Sequence, residues 1–376
     1  MIDNNRLLSL IPPPPKKLKG WPWTEESQSC TLDDYPRITI VTPSYNQAEY
    51  LEETIRSILL QNYPNLEYIV IDGGSTDGSV EIIERYAPWL SYWESEPDRG
   101  QSHAINKGLA HSTGELFNWI NSDDFLRPGA LYSLANSVEA PDEPLCLIGQ
   151  MDVLQGREVS RIAKLEALPK DWCSFQTMPI LQQAMFYTRS ALDRMGPLHE
   201  DLHYSMDYEW LLRFLFAFGF EQLQLIEQPL AGFRYHEASK SSLAVERFFA
   251  DKASIFAEMG QAVKPPAVVA YLRGLTQYAK QYQWPSHLKG CLTQEDWDSL
   301  VIPELVRHFG RLHQRRDFEA AQVMFSLLDP ASVSLPSTYM THLRFLEAYV
   351  KNRGWWWFRL QRSWAYRVRG KHLHEA

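Results

Sequence analysis

The feature that most constrains this chain's fold is an alternation of strand-like and helix-like segments between Arg37 and Asp124. In "RITIVTPSYN", Ile38, Ile40 and Val41 form a short β-branched run that ends at Pro43, the pattern of a strand entering a loop. Leu51, Ile55, Ile58 and Leu59 then recur at helical spacing. "LEYIVIDGGSTDGS" reads as a strand over 66–71, a glycine-rich turn and the cap of a helix over 78–86. "LSYWESEPDRG" is strand then loop, "QSHAINKGLAHS" a helix, and "ELFNWINSDD" a further strand and loop. Such alternation predicts a mostly parallel sheet with helices on both faces. Ligands of such sheets bind beyond the C-terminal ends of the strands. Asp72, Asp98 and Asp123 all stand at such ends.

The 376 residues, 45% of them hydrophobic, suffice for one large domain or two ordinary ones. A net charge of −9 argues against wholesale nucleic-acid binding. Cys30, Cys146, Cys173 and Cys291 form no CxxC pair, so neither a zinc site nor a disulfide framework is expected, and a reducing compartment fits. The N-terminus has no secretory signature and no apolar run is long enough to span a bilayer. The expected location is the cytoplasm, or the inner face of the plasma membrane as a peripheral protein.

Residues 1–36 read as an irregular segment, with polyproline at Pro12–Pro15 and tryptophans in "GWPWTEES" that pack on the main body. A domain spans 37–240. Its later part holds a strand in "LCLIGQMDVL", a strand or loop feeding a helix in "ILQQAMFYTRSALDRMG", an apolar helix opening at Asp207, and a final strand pair in "LQLIEQPLAGFRYH". Residues 241–376 read as a helical extension that ends in "KNRGWWWFRLQRSWAYRVRGK", with seven Lys or Arg and no acid. There Trp357, Leu360, Trp364 and Val368 share one helical face opposite Arg359, Arg362 and Arg369. Two readings fit: an interfacial membrane helix, or a terminal helix that packs its tryptophans on the catalytic domain.

Taken singly, the acidic loops have bland explanations. Ser122-Asp123-Asp124 can be a helix cap in a solvated loop. Asp207 can be a first-turn carboxylate favoured by the helix dipole, or a general base for an acceptor hydroxyl. "IDGGSTDGS" is neither a dinucleotide fingerprint nor a P-loop, though its glycines permit close approach to a ligand.

Together the motifs carry a resemblance. "ITIVTPSYNQAEYLEETIRSILLQNYPNLEYIVIDGGSTDGSVEIIERY" and "SEPDRGQSHAINKGLAHSTGELFNWINSDDFLRPGAL" closely resemble the bacterial family 2 glycosyltransferases, over roughly residues 37–240. The resemblance implies the α/β GT-A fold of nucleotide-diphospho-sugar transferases, with a mostly parallel central sheet. It implies an inverting transfer from a nucleoside diphosphate-sugar to a saccharide or lipid-linked acceptor, in synthesis of cell-surface polysaccharide or glycolipid. It also implies a divalent cation, magnesium or manganese, as hard oxygen ligands favour.

Residue by residue, Pro43, Tyr45, Asp72 and Gly73 would contact the nucleobase and ribose. Asp98, Asn106 and Lys107 would line the nucleotide pocket. "NSDD" resembles the family's DxD motif: Asp123 matches the final acid and metal ligand, while Asn121 stands in the first acid's place, with Ser122 between them. Asp207 in "MDYEWLLR" matches the catalytic base. In "FRYHEASKS", His236 would complete the metal site, and Arg234 and Lys240 would meet the diphosphate. Gln182 and Gln183 would lie on the acceptor side. Asp124 is left as a turn residue. Gly73 replaces a second acid that in relatives often contacts uracil, which leaves guanine and thymine carriers open. Two other readings remain: a nucleotidyltransferase, disfavoured because "TPSYNQAEY" carries no Lys or Arg, and a non-catalytic module that retains the fold.

Overall fold

A computed structural model describes residues 7–15, 17–32, 34–138, 140, 142–156, 158–236, 245–275 and 281–326. Lys240 and the tryptophan-rich C-terminal segment lie outside the described residues. The chain divides into two compact units, one within 1–170 and 178–251, the other within 171–177 and 252–376.

The N-terminal unit opens with a single helical turn, α1 (Leu7–Leu10). Then come β1 (Ile38–Ser44), α2 (Ala48–Leu59), β2 (Leu66–Asp72), α3 (Ser79–Tyr86), β3 (Tyr92–Ser95), α4 (Gln101–His111) and β4 (Leu116–Trp119). This is the alternation expected from the sequence. β1 is buried along its whole length, as befits a central parallel strand covered on both faces. The apolar stripe of α2 predicted from spacing is buried too, with Leu51, Ile55 and Ile58 fully enclosed.

Next follow β5 (Phe125–Leu126), α5 (Ala130–Ser137), β6 (Cys146–Gln155) and β7 (Glu158–Ala163). A short turn of helix, α6 (Trp172–Phe175), belongs to the other unit. The sheet is completed by β8 (Met185–Thr188), which feeds α7 (Arg189–Met195), then α8 (Met206–Phe218) and β9 (Leu223–Tyr235). The order is β3-β2-β1-β4-β8-β6-β9-β5, with β7 on β6. The first four strands are parallel. Beyond β4 the pairing turns mixed: β8 runs antiparallel to β4 and β6, and β9 parallel to β6. The expected final strand pair is one thirteen-residue strand. Pro229 would interrupt a regular ladder, but the register shifts around its partner Gln150, and that irregularity absorbs it.

The strand order reverses at β1, whose neighbours are β2 on one side and β4 on the other. Loops leaving β1 and β4 therefore diverge and leave a crevice at their C-terminal ends, where such sheets bind ligands.

The N-terminal segment is built into this unit. Arg56 on α2 is fully buried, and its guanidinium donates to the carbonyls of Pro12 (2.7 Å), Pro22 (3.1 Å) and Trp23 (2.9 Å) and to the Tyr86 hydroxyl (3.1 Å). Trp21 Nε1 donates to the Leu126 carbonyl at 2.8 Å.

In the C-terminal unit the described helices are the latter part of α9 (Val245–Gly260), α10 (Pro266–Gly274), α11 (Gln294–Gln314) and α12 (Phe318–Ser326). Its core holds charge as well as hydrocarbon. Lys264 pairs with the buried Asp298 and sits 4.9 Å over the Trp297 ring. Glu304 pairs with Lys252 (2.8 Å) and Arg307 (3.0 Å). Among the described residues no helix is long and apolar enough to cross a membrane.

Candidate active site

The site forms where the loops leaving β1, β2, β3 and β4 meet the end of β9. The first two loops are stitched together. Gly73 N–H donates to the Ser44 carbonyl (2.8 Å), Asn46 N–H to Ser75 Oγ (2.8 Å), and Thr76 N–H to Asn46 Oδ1 (2.9 Å). Asp77 from the second loop accepts from the Ala48 N–H at the start of α2. Pro43 is buried in β1, whereas Tyr45 just beyond it is 62% exposed. An exposed aromatic at a strand end suits stacking on a flat ring.

Asp72 does not face the crevice. Its side chain is fully buried and accepts from Gly74 N–H (3.0 Å), Ser75 N–H (2.8 Å), Ser75 Oγ (2.5 Å) and Ser95 Oγ (2.7 Å). It shapes the turn, which corrects the expectation that its carboxylate reads base or ribose. Asn106 and Lys107 are also committed elsewhere. Asn106 exchanges hydrogen bonds with the backbone of Leu198 (2.9 and 2.8 Å), and Lys107 pairs with Glu94 on β3 (2.6 Å). Both fix α4 rather than line the pocket. Asp98 is half-buried and accepts from Gly100 N–H at 2.7 Å, leaving its other oxygen over Gly73.

The loop after β4 carries the adjacent acids Asp123 and Asp124. Asp123 Oδ2 lies 3.0 Å from His236 Nε2, across 113 positions of sequence. β9 brings His236 there, because its end runs beside the acidic loop: Arg234 N–H donates to Asp124 Oδ1 (3.0 Å) and Arg234 Nη1 to the Asp123 carbonyl (2.8 Å). Arg234 is itself buried, paired with Glu53 at 3.1 Å and lying 4.9 Å over the Tyr50 ring. Tyr50 also meets the His236 ring, with centroids 5.0 Å apart. Tyr50 and Glu53 were not singled out in the sequence. Their only signal is helical spacing toward one face of α2.

Asp124 is not the plain turn residue expected. It is 1% exposed and accepts from Gln183 Nε2 (2.8 Å) and Asn121 Nδ2 (3.2 Å) as well as the Arg234 backbone. Burial, with Asp123 beside it, pushes its carboxyl up to about 8, against the pull of those donors. This gives a physical account of Asn121. A carboxylate there could not donate to Asp124 and would raise its pKa further, whereas the amide donates to Asp124 and takes a hydrogen bond from Gln101 (2.6 Å).

Ser122 is buried, its carbonyl held by Thr54 Oγ1 at 2.9 Å. Gln182 and Gln183 brace the same loop from below: Gln182 donates to the Trp119 carbonyl (2.8 Å) and Gln183 to Asp124. Their amide nitrogens are thus engaged within the protein rather than offered to an acceptor. Asp207 sits in the first turn of α8, where Oδ1 accepts from Tyr208 N–H at 2.8 Å.

Asp123 and His236 are the residues that could hold a divalent cation, one through a carboxylate oxygen and one through an imidazole nitrogen. Among the described residues no cluster of three or more His, Cys, Asp or Glu could hold a metal. The remaining positions would fall to diphosphate oxygens and water, as is usual for magnesium at phosphate sites.

Comparison with known proteins gives the family and the fold. The profile of "Glycosyl transferase family 2" matches residues 39–194. An uncharacterized glycosyltransferase of Mycobacterium tuberculosis is 33% identical over 188 residues, covering 47% of this chain and 68% of its own length. One from Rickettsia typhi is 24% identical over 220 residues, covering 56% of this chain and 68% of its own. Among solved structures, the 1–349 portion of S. aureus TarS superposes with a TM-score of 0.53 at 16% identity, covering 84% of this chain and 88% of that one. Against the longer TarS structure the TM-score is 0.55 at 17% identity, over 83% of this chain and about half (53%) of that one. The fold is that of the GT-A glycosyltransferases. The chain belongs to glycosyltransferase family 2.

Proposed function

We propose that this glycosyltransferase is an inverting, metal-dependent hexosyltransferase that moves a sugar from a nucleoside diphosphate-sugar to an acceptor hydroxyl during synthesis of surface polysaccharide or glycolipid. The observation that carries the reading is the Asp123–His236 pair at the C-terminal end of β4, beside the buried Arg234. Structures of the similar TarS in complex with UDP and with UDP-GlcNAc support a nucleotide-sugar donor.

In this proposal Tyr45 stacks on the donor base, and Asp123 and His236 hold the cation. When bound, magnesium or manganese supplies Lewis-acid neutralisation of the diphosphate. Arg234 fixes the Asp123 backbone and adds positive charge behind it. Gln182, Gln183 and Asn121 keep the loop rigid, so the donor meets preorganised groups. Asp207 takes the proton of the acceptor hydroxyl as that oxygen attacks the anomeric carbon. The nucleoside diphosphate leaves from the opposite face, so the configuration inverts. The C-terminal basic tryptophan segment would hold the enzyme at a membrane carrying a lipid-linked acceptor. Liposome flotation with and without residues 351–376 tests that part.

Transfer and hydrolysis assays across a panel of nucleotide-sugars, with magnesium and with manganese, test the main reading. Turnover with anomeric inversion is expected. Absence of any turnover across donors that nevertheless bind would leave a binding module instead.

A further inference from the structure

Gly73 raises a question about base recognition, because it stands where relatives often carry an acid. The structure supplies the answer from another loop. A Cβ built on Gly73 would lie 2.6 Å from Asp98 Oδ2 and 3.0 Å from its Cγ. The space a side chain at 73 would take is already filled by a carboxylate from the loop after β3. That loop is pressed against the turn along its length, since a Cβ on Gly74 would meet Pro97 N at 3.2 Å. Asp98 is also held in place. Oδ1 accepts from the Gly100 N–H at 2.7 Å, and no described residue donates to Oδ2. The result is a carboxylate tied at one oxygen and open at the other, over the same turn whose first residue bonds the end of β1 just before Tyr45.

Accepting the nucleotide-sugar reading above, on which this rests, we infer that Asp98 is the residue that reads the donor's base, and that the donor carries a base with a ring N–H on its Watson–Crick edge. An ionised carboxylate only accepts hydrogen bonds. Uracil and thymine offer N3–H, and guanine offers N1–H with its amino group. Cytosine and adenine carry only an exocyclic amino group as donor on that edge, and their ring N3 and N1 are acceptors that would confront Oδ2 with a second lone pair. A site built around such a bond rejects bases that lack the donor more strongly than shape alone could.

The test is titration calorimetry of the full chain with UDP, dTDP, GDP, CDP and ADP in magnesium. The wild type should bind at least one of UDP, dTDP and GDP tenfold or more tighter than CDP and ADP. In Asp98→Asn the oxygen should stay on the Gly100 N–H and turn the amino group toward the base. The preferred diphosphate should weaken by about tenfold to a hundredfold, while CDP binding holds or improves. Gly73→Ala should give the same loss of preference by pushing the Asp98 carboxylate aside, with Asp98 itself intact. It carries the test if Asp98→Asn melts early. Equal or better binding of CDP or ADP by the wild type would overturn the inference and leave the transferase reading standing. So would an unchanged preference in a folded variant. Failure of the wild type to bind any of the five would overturn the transferase reading itself.

Discussion

Asp124 in the N-terminal unit and Glu304 in the C-terminal unit are both buried carboxylates, and burial leaves them in opposite states. Glu304 has two cations, Lys252 and Arg307, within 3.0 Å. Burial alone would raise its pKa, but the two cations overcome that and bring it down to about 2. Asp124 has three neutral donors and a second acid beside it, so burial prevails and it rises to about 8. The linkage runs in opposite senses. Glu304 contributes stability above its ordinary pKa of 4.5 that is lost as pH falls toward 2. Asp124 binds a proton in the fold that the unfolded chain releases, so its contribution declines as pH rises from 3.8 toward 8. Glu304 puts its buried charge to cohesion. Asp124 keeps its proton in a loop where a cation and a diphosphate are proposed to arrive.

Substitutions in the N-terminal unit's acidic site and at Glu304 should separate function from stability. The largest effect is expected at Asp207. Asp207→Asn should lower turnover by about a hundredfold to ten-thousandfold while donor binding, measured by titration, stays near the wild-type value. Near-normal turnover would remove Asp207 from the role of base. Next in size is the cation: chelation, or Asp123→Ala, should lower transfer by at least about a hundredfold. Added magnesium or manganese should restore the chelated wild type and leave Asp123→Ala inactive. Full activity in chelator would break the functional half of the comparison.

Glu304→Gln addresses the other half. It should lower unfolding free energy by on the order of 3 kcal/mol at neutral pH. It should also flatten the acid-side loss of stability between pH 4.5 and about 2, read from denaturant titrations at a series of pH values. A variant with unchanged pH dependence would show that Lys252 and Arg307 do not hold a charged partner. The smallest effect is at the exposed Tyr45. Tyr45→Ala should raise the donor KM by about tenfold, as stacking on a base is worth about 1–3 kcal/mol, with kcat little changed.

Much of this was legible in the sequence where the signal is local. The apolar runs of β1, β2 and β4 and the spacing of Leu51, Ile55 and Ile58 gave the alternation, and with it the sheet's parallel half. The mixed half was harder, because β8 and β9 owe their directions to partners far along the chain. Residue type also says little about side-chain direction. Asp72, Asn106 and Lys107 have the chemistry of a nucleotide pocket, yet each turns to a backbone or side-chain partner within the fold. Asp123 and His236 could be paired from sequence only through the family resemblance, since nothing local links positions 113 apart. The contrast between Asp123 and Asp124 lay beyond sequence altogether. Adjacent in the chain, they differ in that one meets a histidine and the other is enclosed by amides.

Arg56 sets a limit on how small this enzyme can be made. The span that matches the family begins at residue 39, but the guanidinium buried beneath it is satisfied by the carbonyls of Pro12, Pro22 and Trp23. Trimmed to the family match, the protein would lose three acceptors of that guanidinium together with the segment that covers it. A fragment beginning at residue 39 should therefore unfold at lower denaturant than one that keeps residues 12–23.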